Sequence, residues 1–179
     1  MALTPDPPSA TSLHSAAAAI AGALPPHRLI PTDQLHLTLA FIGETRAKEV
    51  REVKESVDRS CSGLHPFTLT AERLITIPTP DDGGPPRLLA AATDSPPTLL
   101  EIQRRIAQRL TRPKKNGRRS RFLPHITLAR YRHGVSSDAI DQPLTEPRPS
   151  WRVESCTLYA SHLKANGAEY EIVHTTKLN

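Results

Sequence analysis

His36-Leu37-Thr38-Leu39-Ala40 and His125-Ile126-Thr127-Leu128-Ala129 are two copies of one phrase: a histidine, an apolar residue, a threonine, then Leu-Ala. Side chains alternate faces along a strand, so a histidine and a threonine two apart point the same way. Leu37 and Leu39, or Ile126 and Leu128, then point the other way, into a core. Each phrase predicts a β-strand that offers one imidazole and one hydroxyl to a polar groove. A repeat at long interval reports a duplicated structural unit. His174-Thr175-Thr176 shows the bare His-x-Thr pattern without the apolar middle residue or the trailing Leu-Ala, and marks what chance supplies. The competing reading is two similar amphipathic strands whose His and Thr merely face solvent.

Outward from the phrases, Gln34 to Phe41 and Phe122 to Tyr131 read as the two motif strands. Ser12 to Leu24 reads as a helix stopped by Pro25-Pro26. Thr45 is placed to cap a helix running to about Cys61, with Val50, Val53 and Val57 as its inner stripe. Phe67 to Ala71 reads as a strand that Leu74 to Ile77 continues, and Arg87 to Thr93 as another. Leu99, Ile102, Ile106 and Leu110 predict an amphipathic helix after Pro96-Pro97. Residues 134 to 149 are polar and proline-rich, with room for one short helical turn. Trp151 to Ala160 and Glu169 to Lys177 read as strands joined by a turn at Asn166-Gly167. Such a mixture predicts an α+β fold rather than a doubly wound sheet. There is no GxGxxG, no GxxxxGK[ST] and no serine elbow, which argues against nucleotide-driven and serine-hydrolase chemistry.

The 179 residues fit one domain, or two small lobes sharing a core. No stretch is long and apolar enough to span a bilayer. The Ala-rich run from Ala16 to Ala23 has no basic segment before it and does not read as a signal peptide, so a cytoplasmic location is expected. Cys61 and Cys156 lack metal-like spacing and are expected to be reduced, buried or half-buried. The histidines lack the helical spacing that would suggest zinc. A net charge of +5 and a pI near 9.6 favour an anionic partner. Arg112, Lys114, Lys115, Arg118, Arg119 and Arg121 crowd the approach to the second phrase, around a turn at Asn116-Gly117. A basic loop beside a candidate site attracts a polyanion; the alternative is a solvated loop in an Arg-rich chain.

Two imidazoles on opposite sides of one ligand suit acid–base chemistry on a phosphate, because imidazole titrates near neutrality. For in-line displacement the two nitrogens should lie roughly 5 to 8 Å apart, each within reach of its own oxygen. Thr38 and Thr127 are placed to donate hydrogen bonds to the non-bridging oxygens. No metal or cofactor is called for. Arg130 ends the second phrase and suits bidentate phosphate binding. Strict alternation puts it opposite His125, so it needs a bulge or a twist to join the site; otherwise it is a surface or salt-bridging arginine. Phe41, Tyr131 and Tyr159 are candidates for stacking on a base, or for the core.

HLTLAFIGE (36–44) and FLPHITLAR (122–130) resemble the paired HxTx motifs of the 2H phosphoesterases, and most closely the RNA 2′,3′-cyclic phosphodiesterase branch, also called 2′-5′ RNA ligases. LPPHRLIPTDQLHLTLAFIGE (24–44) and the tail from Val153 to Leu178 are similar to that branch too. The resemblance implies a single 2H phosphoesterase domain over residues 1–179, bilobal and α+β. Its two pseudo-symmetric antiparallel-sheet lobes carry one motif each (36–39 and 125–128), with helices outside and a central groove. It also implies hydrolysis of RNA or nucleoside 2′,3′-cyclic phosphate to a 2′-phosphate, with reversible 2′-5′ ligation. His36 then matches the proton donor and His125 the proton acceptor. Ser161 and Tyr170 match positions near the groove; Ser161 is kept with Phe41, Tyr131, Arg118, Arg119 and Arg121 as a candidate RNA contact, and Tyr170 is read as an ordinary strand residue. RNA with cyclic phosphate ends or small cyclic nucleotides is the expected partner, with no membrane and a monomeric state. Alternatives are an RNA-end binder without turnover, or an enzyme for another small cyclic phosphate such as ADP-ribose 1″,2″-cyclic phosphate. The chain departs from the family pattern in three places. Met1 falls inside the first strand, which predicts either residues upstream of Met1 or a weakened strand. An aromatic is replaced around Arg28-Leu29, and Ala90 stands where a bulkier residue is common.

Overall fold

The computed structural model describes residues 1–80, 83–110, 122–132, 138–164 and 167–179. In chain order the strands are β1 (Ala2–Leu3), β2 (His27–Leu29), β3 (Leu37–Thr38), β4 (Phe67–Ile77), β5 (Leu88–Thr93), β6 (His125–Tyr131), β7 (Asp141–Pro143), β8 (Ser150–Val153), β9 (Ser155–Lys164) and β10 (Gly167–Lys177). The helices are α1 (Pro7–Ala19), α2 (Val50–Cys61) and α3 (Pro97–Leu110).

Local chemistry explains where these elements begin. Asp6 caps α1 by accepting from the Ser9 amide at 2.9 Å, and Pro7 and Pro8 occupy the first turn, where a missing N–H costs nothing. The helix therefore starts ahead of the expected Ser12. Before α2 the chain makes a 3-10 turn at Ala47–Glu49, and Glu49 accepts from the Arg46 amide at 3.1 Å. The expected cap at Thr45 is not formed; its hydroxyl donates to the Gly43 carbonyl at 3.3 Å instead. Val57 of α2 is fully buried, whereas Val50 and Val53 are only half-buried. In α3, Leu99, Ile102 and Ile106 form the buried stripe as expected. The strand expected from Phe67 and continued to Ile77 is β4, with a register shift between Ala71 and Arg73. Within the polar stretch 134–149, Asp141–Pro143 forms an edge strand, β7, while residues 134–137 lie outside the described residues. The expected strand from Trp151 divides at Glu154: β8 pairs with β4, and β9 with β1 and β10.

The strands join in one antiparallel path, β10-β9-β1-β3-β6-β5-β4-β7, with β2 beside β6 and β8 beside β4. The motif strands β3 and β6 are the innermost of the two four-strand halves. They meet through a single paired position, Leu37 with Ile126, both fully buried. Helix α1 packs on β2 and β6, while α2 packs on α3, β9 and β10. One contiguous apolar cluster runs beneath both halves and includes Leu3, Leu37, Leu39, Ile126, Leu128 and Ala129. The face opposite that cluster carries the polar residues of both phrases.

Candidate active site

Extending the antiparallel register of Leu37 and Ile126 by one residue sets His36 across from Thr127, and Thr38 across from His125. The two histidines are then diagonal neighbours, a relation that places residues roughly 7–8 Å apart in a sheet. That spacing suits one ligand held between two imidazoles. His36, Thr38, His125 and Thr127 are each half-buried on this face. Ala2 pairs with Thr38, Ala90 with Thr127 and Ala92 with His125. Three methyl groups thus flank the four polar side chains and keep the floor of the groove open.

Each imidazole is oriented in the same way. Nδ1 of His36 donates to the Gln34 carbonyl at 2.8 Å, and Nδ1 of His125 to the Leu123 carbonyl at 2.7 Å. A carbonyl only accepts, so the proton sits on Nδ1 in the neutral ring and Nε2 is left with a bare lone pair. Burial pushes the pKa of both histidines below the ordinary imidazole value. The backbone hydrogen bonds oppose that shift in each ring. The positive charge of Arg130 adds to it in both, and the Met1 amino group and His125 add to it at His36. Arg130 therefore lies close enough for its field to reach both rings.

A bulge brings Arg130 there. In the pairing with β5, Leu89 faces Ala129 while Ala90 faces Thr127, which leaves Leu128 as an extra residue. Leu128 and Ala129 are consecutive and both buried in the core, so the alternation slips by one. Arg130 consequently returns to the face of His125 and Thr127 and is exposed there. Tyr131 goes the opposite way. It packs against the core cluster, the second of the two roles expected for Tyr131.

Among the other expected contacts, Phe41 follows the first phrase and is 82% exposed. Ser161 is exposed on β9 across from Tyr170. Arg118, Arg119 and Arg121, with the rest of the basic stretch, lie outside the described residues. Among the described residues, no group of three or more His, Cys, Asp or Glu side chains is placed to hold a metal ion. Cys61 and Cys156 are free and buried.

A sequence profile of the 2′-5′ RNA ligase superfamily matches residues 5–165. The chain belongs to that superfamily. An RNA 2′,3′-cyclic phosphodiesterase of Methanothermobacter thermautotrophicus is 22% identical over 159 residues, covering 84% of this chain and 82% of the relative. Among solved structures, TT0787 of Thermus thermophilus superposes with a TM-score of 0.77 at 23% identity, over 99% of this chain and 95% of that one. LigT of E. coli in its apo form gives 0.72 at 25% identity, over 99% and 94%. This member of the 2′-5′ RNA ligase superfamily thus has the α+β architecture of the 2H phosphoesterases.

One residue without a local signal in the sequence, Arg28, and two already noted there, Tyr159 and Tyr170, also stand at this face. Arg28 of β2 stands directly across from Arg130, a pairing set by a distant segment that local pattern does not reveal. Tyr159 and Tyr170, from β9 and β10, form a corner with His36. The Tyr170 ring lies 4.9 Å from the imidazole at 76°, and Tyr159 lies 6.1 Å from it. The expectation that Tyr170 is a plain strand residue is corrected by this contact. The available signal is its place in the NGAEYEI tail, but only the pairing of β9 with β10 turns it toward the motif.

Proposed function

We propose that this chain hydrolyses RNA ends or nucleosides bearing a 2′,3′-cyclic phosphate to 2′-phosphates, by metal-independent acid–base catalysis. The observation that carries the reading is the pair of matched imidazoles, each with Nδ1 tied to a backbone carbonyl and Nε2 without a partner among the described residues. His125 Nε2 accepts a proton from water as the water oxygen attacks phosphorus. The bond from phosphorus to O3′ breaks in line, and protonated His36 gives its Nε2 proton to O3′ as it leaves. The charge that gathers on the non-bridging oxygens meets the hydroxyls of Thr38 and Thr127 and the guanidinium of Arg130. The lowered histidine pKa values suit the accepting role directly. An anionic phosphate bound between the rings favours the protonated form of His36, and so supplies the donor where it is needed.

A ribose 5′-hydroxyl in place of water makes the same path run toward a 2′-5′ linkage, with the histidine roles exchanged in the reverse direction. The name of the Methanothermobacter thermautotrophicus relative and the extent of the match support the substrate class. Incubation with nucleoside 2′,3′-cyclic phosphates and a cyclic-ended oligonucleotide, followed by phosphorus NMR, tests the reading. The expected product is the 2′-phosphate, formed at the same rate in excess chelator. Exclusive 3′-phosphate, or no turnover of any cyclic phosphate, defeats it.

A further inference from the structure

A cleft of about 340 Å³ opens on the side of His36 turned toward β9 and β10. Its size falls within the roughly 300–1,000 Å³ of small-molecule sites. Thr4, Asp33, Gln34, His36, Tyr159 and Tyr170 contribute to its walls. The register explains how strands from opposite ends of the chain share this wall. Ala2 pairs with both Thr38 and Thr157, Tyr159 pairs with Ile172, and Ser161 with Tyr170. Tyr159, Tyr170 and Ile172 therefore share the face of Thr157, which is the face of the motif threonines.

We propose that this cleft is the base subsite for the nucleoside whose oxygen departs toward His36, with Tyr170 and Ile172 as its platform and Asp33 as its polar selector. The inference rests on the function proposed above and specifies what the same site recognises. Three observations converge on it. First, two large apolar side chains on this wall are left uncovered: Tyr170 is 36% exposed and Ile172 64%. A base laid on them removes that surface from water, and every base has a π-face to offer. Second, the rings already make a corner. Tyr159 and Tyr170 stand 6.0 Å apart at 71°, so a flat ligand meets one ring face-on and the other edge-on. Third, the charge is segregated. Among the described residues, the lining of the cleft holds two carboxylates, Asp33 and Glu169, and no lysine or arginine. Arg28 and Arg130 stand opposite each other on β2 and β6, which lie beyond β3 from the cleft. A phosphate is drawn toward the arginines and repelled from the cleft, so what enters the cleft is the uncharged part of the substrate. A carboxylate at its rim accepts N–H donors, which favours a purine presenting two adjacent N–H groups, as guanine does.

The experiment combines binding with turnover. Calorimetry of the four unphosphorylated nucleosides on the wild-type protein reads the cleft without any chemistry. Steady-state kinetics on the four nucleoside 2′,3′-cyclic phosphates then separates KM from kcat. Tyr170→Ala is expected to weaken nucleoside binding and to raise KM by roughly ten- to a hundredfold, the size of one lost base stack, with kcat little changed. Asp33→Asn is expected to erase the preference for guanosine while leaving the other three nucleosides alone. Ile172→Ser, at an exposed position outside the core, gives a smaller loss in the same direction and guards against misfolding of the tyrosine variant. The proposal is overturned if nucleoside affinity and KM do not move in these variants. It is equally overturned if Tyr170→Ala lowers kcat or displaces the pH profile with KM intact, because the ring would then only buttress His36. Wild-type protein that binds nucleosides but turns over no cyclic phosphate defeats the proposed activity and leaves the subsite standing.

Discussion

Replacing His36 or His125 by asparagine separates the chemistry of the imidazoles from their part in the fold. The asparagine amide nitrogen occupies the place of Nδ1, so it keeps the hydrogen bond to the Gln34 or Leu123 carbonyl. It has nothing at the place of Nε2. Loss of one general acid or base lowers the rate by about 10²–10⁴, which corresponds to roughly 2.7–5.4 kcal/mol of barrier. Stability should hardly change. Alanine at the same position leaves a partly buried carbonyl without its partner, at about 1–3 kcal/mol. Asparagine and alanine variants should therefore match in lost activity and differ in melting temperature. The pH profile of kcat/KM carries the sign. Both histidines have pKa values held below the usual imidazole value, first by burial and then by nearby positive charge. The wild-type bell should accordingly peak on the acid side of neutrality. His125→Asn should lose the limb on which activity falls as pH drops, since that limb is protonation of the acceptor. His36→Asn should lose the alkaline limb. A rate within tenfold of wild type in either variant, or a bell that keeps both limbs, refutes the two-imidazole mechanism.

Three further outcomes follow from the geometry. Arg130→Gln removes a charge that lowers both histidine pKa values, so the bell should move to higher pH, with kcat falling on the order of 10²; a profile unmoved in pH would mean that Arg130 acts elsewhere. Ile126→Ala empties a fully buried position at the seam between β3 and β6. The expected cost is about 2–5 kcal/mol, or roughly 4–20 °C in melting temperature, and thermal unfolding within a degree of wild type would contradict the account of the seam. Asp58 accepts from Thr176 and, at 2.7 Å, from His174, and the Thr176 hydroxyl followed by His174 holds its pKa below the ordinary carboxylate value. A depressed carboxylate stabilises the fold above its unfolded pKa and loses that contribution as pH falls through the folded value. Because the pair is half-exposed, the effect should stay below about 1 kcal/mol. Asp58→Asn should be slightly less stable at neutral pH and equal to wild type near about pH 2; a gap that persists in acid would point to packing instead.

The alternation of side chains is a property of the extended chain itself, so the two phrases declared their shared polar faces without any partner. His36 and Thr38, like His125 and Thr127, had to share a face wherever the strands lay. The apolar stripe of α3 was legible for the same local reason. What surrounds the phrases was not. Arg130 reaches the groove because Leu128 is squeezed out of the ladder with β5, and the same slip carries Tyr131 into the core. A bulge answers to the fit between two strands, and neither strand encodes it alone. The seam at Leu37 and Ile126, the opposition of Arg28 and Arg130, and the meeting of His36 with Tyr159 and Tyr170 all join segments far apart in the chain. Such neighbours are selected by the burial of a common core, which no window of sequence contains. The residues of the proposed chemistry were therefore written locally, and their surroundings were decided by packing.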